Sequence, residues 1–561
     1  MSTSSMEILS NECFYDIFDY LNGYEIYQAF SNLNDRFEQL INSSSLLFKT
    51  AVEISRDESF SNFINQMIHL NKHQIFSLHI KLTNHIDSFL SQFIIDSSLN
   101  NLQSINIRGI DSHAIVSFLK SLAYLPRLFL LSIYIWEFKG FKDLNYIYQL
   151  IFTLPKLKFN KLSFFYGPSS YILLPMITNK QFSFIKHLVI DHSCTLEQLN
   201  RIVSYTPQLH RLSFTDEEDD NNTKIDNHLL SILSQLTHLT IKIWHTTFDR
   251  LEMLIKNTNL KLNSLSLDIS LEDVNYLDSA RWEILILKYL PQLNTFHFDY
   301  TEDMEGRRKL SKHLELEESN QFSSLFWSER KWVLETEVDF EFIIYSIRPY
   351  EKRWYEYAQQ QPIINSSLQL SKSARLNFTY IPIYNSPKAP IFVVNSVLTA
   401  TNIYHLIFTK TEASIRHLIY LIKALPDLTT LKIHDLVLKE QNLSTNETDI
   451  FLFISKTNKI TKVYLENMTG IEQVDILIKL CPRMNYLQIN NINDMEVELF
   501  LKEILSIQME DIDNCLCSLC FRIPLLDDQM METLEEMIDH EKLLINYTIK
   551  RICDSIYLYW R

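Results

Sequence analysis

Along most of the chain, apolar residues recur as a triplet at i, i+3 and i+5, set among polar positions. In several copies a proline stands two residues ahead: Pro426 before Leu428/Leu431/Ile433, Pro126 before Leu128/Leu131/Ile133, Pro207 before Leu209/Leu212/Phe214, Pro291 before Leu293/Phe296/Phe298 and Pro482 before Met484/Leu487/Ile489. Pro155 reads as a sixth copy with two residues inserted, its triplet at Phe159/Leu162/Phe164. Further triplets fall at Ile75/Leu78/Ile80, Leu102/Ile105/Ile107, Ile185/Leu188/Ile190, Leu236/Leu239/Ile241 and Leu262/Leu265/Leu267. After a gap they resume at Ile403/Leu406/Phe408, Ile460/Val463/Leu465 and Leu516/Leu519/Phe521, with Cys553/Ile556/Leu558 as a closing candidate. Stretches of helical period lie between triplets, among them 115–122, 196–203, 284–290 and 415–422. They stop at or before the proline, which has no N–H to donate and pushes its predecessor out of helical geometry. Each unit is therefore a helix, a turn and a short strand, repeated at roughly 24- to 31-residue steps.

A helix and strand repeated at this length, with strands pairing in parallel, resembles the leucine-rich repeat, in the irregular form common in F-box proteins. The resemblance implies an α/β solenoid with parallel strands on the concave side and helices on the convex side. Strand alternation then sends the second and third triplet residues inward and leaves the flanking positions on the concave face. Arg108, Arg211, His238, Lys242, Asp268, Asp299, Lys432 and His434 are the candidate contacts for a target protein there, with Tyr134 and Tyr464 among them. For each, an ordinary solvated strand face is the alternative. Residues 49–300 make a first block of repeats and 401–561 a second, closed by a cap built from Leu534, Met537, Ile538 and a last strand, Ile556 to Tyr559.

Between the blocks, residues 301–400 break the rhythm. Phe322/Leu325/Trp327 and Phe378/Ile381/Ile383 suggest divergent repeats, while the alternating run Glu335 to Phe342 suggests a strand-rich insertion. Arg348, Lys352, Arg353 and Trp354 could stack on bases, or could pack or serve a protein-binding loop.

Ahead of the repeats, Cys13, Phe14, Ile17, Phe18 and Leu21 share one helical face that Ser10 can cap and Gly23 can end. Two more short helices are readable through Ile26, Tyr27 and Phe30, and through Leu33, Phe37, Leu40 and Ile41. Residues 6–48 resemble an F-box through Leu9, Glu12, Ile17, Phe18, Tyr20 and Leu21, with Phe37 near the usual Trp; Ser10 replaces the usual proline and Cys13 an aliphatic residue. The resemblance implies a non-catalytic, cofactor-free substrate receptor of a Skp-cullin-F-box ubiquitin ligase. Leu9, Ile17, Phe18, Leu21 and Phe37 would hold the Skp-type adaptor, and through it a cullin. The alternative is a leucine-rich-repeat interaction scaffold whose first fifty or so residues merely cap the solenoid.

Composition narrows the field. The net charge of −16 disfavours nucleic acid, whose affinity comes mainly from Lys and Arg. The acidic run Asp216 to Asp220 lacks the Gly and closing Glu of a calcium loop and reads as a solvated loop. Six glycines in 561 residues leave no G-x-G or G-K-[ST] phosphate loop. Cys517 and Cys520 form a C-x-x-C without a second ligand pair, and Leu516, Leu519 and Phe521 place it in a strand. Seven cysteines, no signal-peptide pattern and no apolar run of spanning length lead us to expect a reducing compartment, cytoplasm or nucleus, and no membrane.

Overall fold

A computed structural model of the chain describes residues 9–43, 45–54, 72–82, 95–110, 114–135, 144–164, 172, 174–175, 182–217, 235–258, 260–303, 322, 324–339, 342–351, 354, 374–380, 403–438, 443–492, 496–510, 515–523 and 528–560. Among them are 21 strands and 14 α-helices. Two compact units divide the chain: Met1–Leu267 with Leu285–Leu293, and Asp268–Ile284 with Asn294–Arg561.

The first unit opens with α1 (Asn11–Asp19), α2 (Gly23–Phe30) and α3 (Asp35–Ile41), followed by β1 (Phe48–Ile54), β2 (Ile75–Leu82), β3 (Ser104–Ile110), β4 (Leu130–Ile135), β5 (Phe159–Phe164), β6 (His187–Cys194), β7 (Arg211–Asp216) and β8 (His238–Ile243). β9 (Ser264–Ile269) belongs to it as far as Leu267. From β1 to β8 each strand pairs in parallel with the next. Parallel neighbours need a crossover. The helices Ile115–Leu122, Leu144–Phe152 and Leu196–Val203 lie in these connections, and Phe248–Thr258 follows β8. The register stacks Leu78 on Ile105 and Leu131, and Ile80 on Ile107 and Ile133; all six are fully buried. Thr195 opens one crossover helix with a reciprocal capping box to Gln198.

The register corrects the copy that follows Pro155. Asn160 pairs with Leu131 on one side and Leu188 on the other, so the unit's triplet is Leu157/Asn160/Leu162 with nothing inserted. Asn160 is completely buried, its amide donating to the Leu131 carbonyl at 3.4 Å while its Oδ1 has no partner. Phe159 and Phe164, half-buried, fall outside the core register. The solvated reading of Asp216 fails as well. It ends β7 at 4% exposure, and its carboxylate accepts the backbone N–H groups of Trp244, His245 and Thr246. Glu218, Asp219 and Asp220 lie outside the described residues.

Ahead of the ladder, Phe14, Phe18, Phe30 and Phe37 form an aromatic cluster, edge to face between Phe18 and Phe30 and between Phe14 and Phe37, whose centroids are 4.9 Å apart. Ile26, Leu40, Ile41, Leu46 and Phe48 complete that core, so β1 contributes to it directly. Gly23 does not end α1, whose C-cap is Tyr20; it opens α2, capped by Asn22 and Glu25. A Cβ on Gly23 would stand 3.0 Å from Phe48 Cβ and 3.2 Å from Thr50 Oγ1. Leu33 lies before α3 and is exposed. Gln74, fully buried at the start of β2, donates its amide to the carbonyls of Ile41, Ser43 and Leu46, fastening the helices to the repeats.

The second unit contains β10 (Thr295–Asp303), β11 (Trp332–Val338), β12 (Phe342–Pro349), β13 (Arg375–Phe378), β14 (His405–Phe408), β15 (Glu412–Ser414), β16 (Thr430–Val437), β17 (Lys462–Met468), β18 (Tyr486–Ile492), β19 (Ser518–Arg522), β20 (Tyr547–Ile552) and β21 (Ser555–Trp560). The irregular region adds a reversal to the sheet. β12 lies antiparallel between β10 and β11, and β11 resumes parallel pairing with β13. The run Glu335 to Phe342 is thus two strands, turned where Asp339 N–H meets the Phe342 carbonyl. Phe322/Leu325/Trp327 is not a strand triplet: Ser324 stands at the N-terminal boundary of the helix Leu325–Glu329, on which Leu325 is exposed, while Trp327 is buried against Phe296 and Trp332. Phe378 is the last core residue of its own unit, opposite Phe408, and Ile381 and Ile383 lie outside the described residues.

From β13 the parallel ladder runs through β14, β16, β17, β18 and β19. It closes on β21, antiparallel to β19, and on β20, antiparallel to β21. Cys553 sits in the tight turn between them with φ 53°, so Cys553/Ile556/Leu558 is not another parallel repeat. The helix Asp528–His540 buries Leu534 and Ile538 as part of this closing structure. No described helix is long and apolar enough to cross a membrane.

Three stability measurements follow from these positions. Gly23→Val should lower stability by roughly 1–3 kcal/mol, read as a reduced urea midpoint, because the side chain meets Phe48. Asn160→Val should raise the midpoint by about 1 kcal/mol of stability by removing an unsatisfied buried oxygen; a loss would show that the amide is needed. His192 Nδ1 lies 2.9 Å from the Ser193 carbonyl and so carries the proton, leaving Nε2 to accept the Tyr148 hydroxyl at 2.7 Å. Burial holds this imidazole down at about 4, against an ordinary 6.5. The unfolded chain therefore binds the extra proton first, and stability should fall as pH drops from about 6.5 toward 4. In a urea titration across that range, His192→Asn should flatten the loss.

Candidate functional site

The five N-terminal candidates do not share one environment. Phe18 and Phe37 are each 3% exposed and belong to the helices' own core, so neither offers a surface to an adaptor. Ile17 and Leu21 pack only partly against that core, and Leu9 is 40% exposed. Tyr20, almost fully exposed, extends the accessible apolar surface beside them. Arg36 braces the start of α1, donating to Asn11 Oδ1 and the Leu9 carbonyl while its guanidinium lies 5.3 Å from the centre of the Phe14 ring.

On the first unit, parallel register sorts the non-core positions into rows. One contains Ser104, Leu130, Phe159, His187, Arg211 and His238; another contains Arg108, Tyr134, Ser163 and Asp191, with Lys242 on β8 bonding back to the last. Asp191 stands where β6 departs from regular register, between Ile190 and Ser193. It takes Lys242 Nζ at 2.9 Å, Lys161 Nζ at 3.2 Å and the Ser163 hydroxyl at 3.1 Å. Burial pushes its carboxyl up, but the two lysines outweigh that and hold it below the usual value. Arg108 is exposed just before Gly109, whose φ of 85° makes a bulge that residues with a Cβ rarely adopt. Arg211 lies between His187 and His238; burial, then its positive charge, lowers the pKa of each. Lys161 and Asp191 were legible as positions flanking Leu162 and Ile190, but their pairing was not, because it depends on the register between β5 and β6.

On the second unit, Asp268 is exposed at the end of β9. Asp299 accepts both a two-oxygen grip from Arg348 Nη2, at 2.7 and 2.8 Å, and the Ser346 hydroxyl. Lys432 places its ammonium 4.6 Å from the Tyr464 ring centre, a cation–π contact. His434 lies between Asp435 at 3.5 Å and Glu466 at 3.2 Å. Trp354 covers Tyr464 and Tyr486, with centroids at 5.3 and 5.8 Å, so it packs on the sheet. Lys352 and Arg353 lie outside the described residues.

A cavity of about 360 Å³ opens here, lined among others by Glu335, Glu337, Arg348, Trp354, Arg375 and Lys432. Arg375 is held by Glu335 at 2.6 Å. Burial, then Glu466, raises Tyr464 to about 12, so its hydroxyl stays protonated at neutral pH. Arg375 was not singled out as a concave contact because the core pair Leu376/Phe378 of its strand is too short to stand out as a repeat. Cys520 is buried against Tyr486 on the same side, its thiol pushed up to about 11. Ionic pairing and aromatic stacking are what these groups can do; no cluster of three metal-ligating side chains occurs among the described residues.

No family model matches the chain, and no curated protein matches it. Among solved structures, one similar chain comes from the crystal structure of a Rad7 and Elc1 complex in yeast. It aligns over 88% of this chain and 94% of that one, at 11% identity and a TM-score of 0.27.

Proposed function

We propose that the protein is a non-catalytic substrate receptor of a Skp-cullin-F-box type ubiquitin ligase, acting in the cytoplasm or nucleus. A Skp-type adaptor docks on the N-terminal helices and brings a cullin, while a target protein is held by the repeat strands. The observation that carries this reading is a three-helix unit with Leu9, Ile17, Leu21 and Tyr20 accessible on its surface, set ahead of a parallel repeat ladder. Accessible apolar anchors on so small a unit suit a helical partner interface, where a few side chains carry most of the energy.

A second reading, an interaction scaffold without ligase association, draws on a different observation. Phe48 and Gln74 join the three helices to β1 and β2, as a cap for the first repeat requires. The two readings separate in one pair of measurements. Ile17→Asp with Leu21→Asp should abolish capture of purified Skp-type adaptor by the full chain and leave its thermal melting within a few degrees. Undiminished capture, or no capture by the unsubstituted chain, removes the ligase reading and leaves the scaffold.

A further inference from the structure

The chain as a whole carries −16, yet the row-forming face of β3 to β8 has the opposite sign. Its Lys and Arg residues are Arg108, Lys161, Arg211 and Lys242, and its one carboxylate among the described residues is Asp191. Asp191 is already shared by Lys161 and Lys242, so that trio retains a single positive charge. Arg108 and Arg211 are exposed and have no carboxylate within ion-pair distance among the described residues. His187 and His238 beside Arg211 supply polar hydrogen-bonding edges without competing negative charge.

We infer that this face of the first unit binds an acidic, extended peptide segment of a partner protein, with Arg108 and Arg211 as its principal anchors. This rests on the target-binding role given to the strands under the proposed function and names the chemistry of the target. From β3 to β8 the face spans five strand spacings, ~24 Å at ~4.8 Å each, or about seven residues of extended chain at ~3.3 Å per residue. Guanidinium groups suit carboxylates because their donors form a planar fork. A short acidic run meets mainly the local charge, since salt screens interactions beyond ~8–10 Å. A long nucleic acid would also meet the acidic remainder of the chain.

The test is fluorescence anisotropy of the full-length protein with a fluorescein-labelled glutamate-rich peptide of roughly ten residues, matched to the span above. Binding should weaken with added salt, and Arg108→Glu and Arg211→Glu should each weaken it about tenfold. Lys288→Glu makes the same charge change on the helix Ser279–Tyr289 and should leave binding unchanged. Arg211→Gln, which only neutralises, should produce a smaller loss and guards against misfolding in the reversal. Absence of binding at low salt, equal losses from Lys288→Glu, or tighter binding of a thymidine oligonucleotide of matched charge would each overturn the inference. No adaptor enters this assay. Failed adaptor capture with intact peptide binding would remove the ligase reading alone, and the converse would remove only the acidic-segment assignment.

Discussion

Everything in the ladder depends on an aliphatic pair that no repeat can bury alone. Leu431 and Ile433, or Leu78 and Ile80, gain their cover only when the next strand sets its own pair alongside in parallel register. This makes stability a matter of nearest neighbours, with the terminal units exposed to loss. It also explains why the helices and prolines can vary while the strand spacing does not: a crossover need only be long enough to return the chain to the same edge.

The same register that aligns the core pairs aligns everything between them. A polar residue changed in one strand therefore acquires neighbours one and two repeats away in sequence, as Asp191 does with Lys161 and Lys242. The two units use this differently. In the first, the cations outnumber the acids and two arginines are left over. In the second, Arg348, Arg375 and Lys432 each already face an acid or a ring, and Trp354 seals part of the surface. A common backbone rule thus yields surfaces of unlike chemistry.

The apolar triplets were legible because two of their positions are buried in almost every unit, and fifteen of the strands follow from them. Six did not. β1 and β13 have weak or short core pairs, β15 is only Glu412–Ser414, and β11, β12 and β20 belong to antiparallel excursions that the parallel period cannot describe. Asn160 was misread for a sharper reason: a polar residue occupied a core register position, and a search for apolar residues slid past it to Phe159. In the N-terminal helices, one-face periodicity identified which residues are apolar but not which side of the face a neighbour already covers. Phe18 and Phe37 proved internal because Phe30 and Phe48 supply more inward apolar surface than that periodicity alone reveals.

The reversed hairpin at the end of the chain has a consequence for self-association. A parallel ladder ending on an open strand would present the same edge that every internal strand presents to its successor, and a second molecule could continue it head to tail without any closing symmetry. β21 runs the other way, and β20 places Lys550 and Arg551 along the outermost row, with all six of its residues half-covered or exposed to solvent. Charged edge residues and a mismatched strand direction are how sheets avoid recruiting copies of themselves. The turn at Cys553 therefore makes this edge of the sheet unlike the edges that the internal strands present to one another.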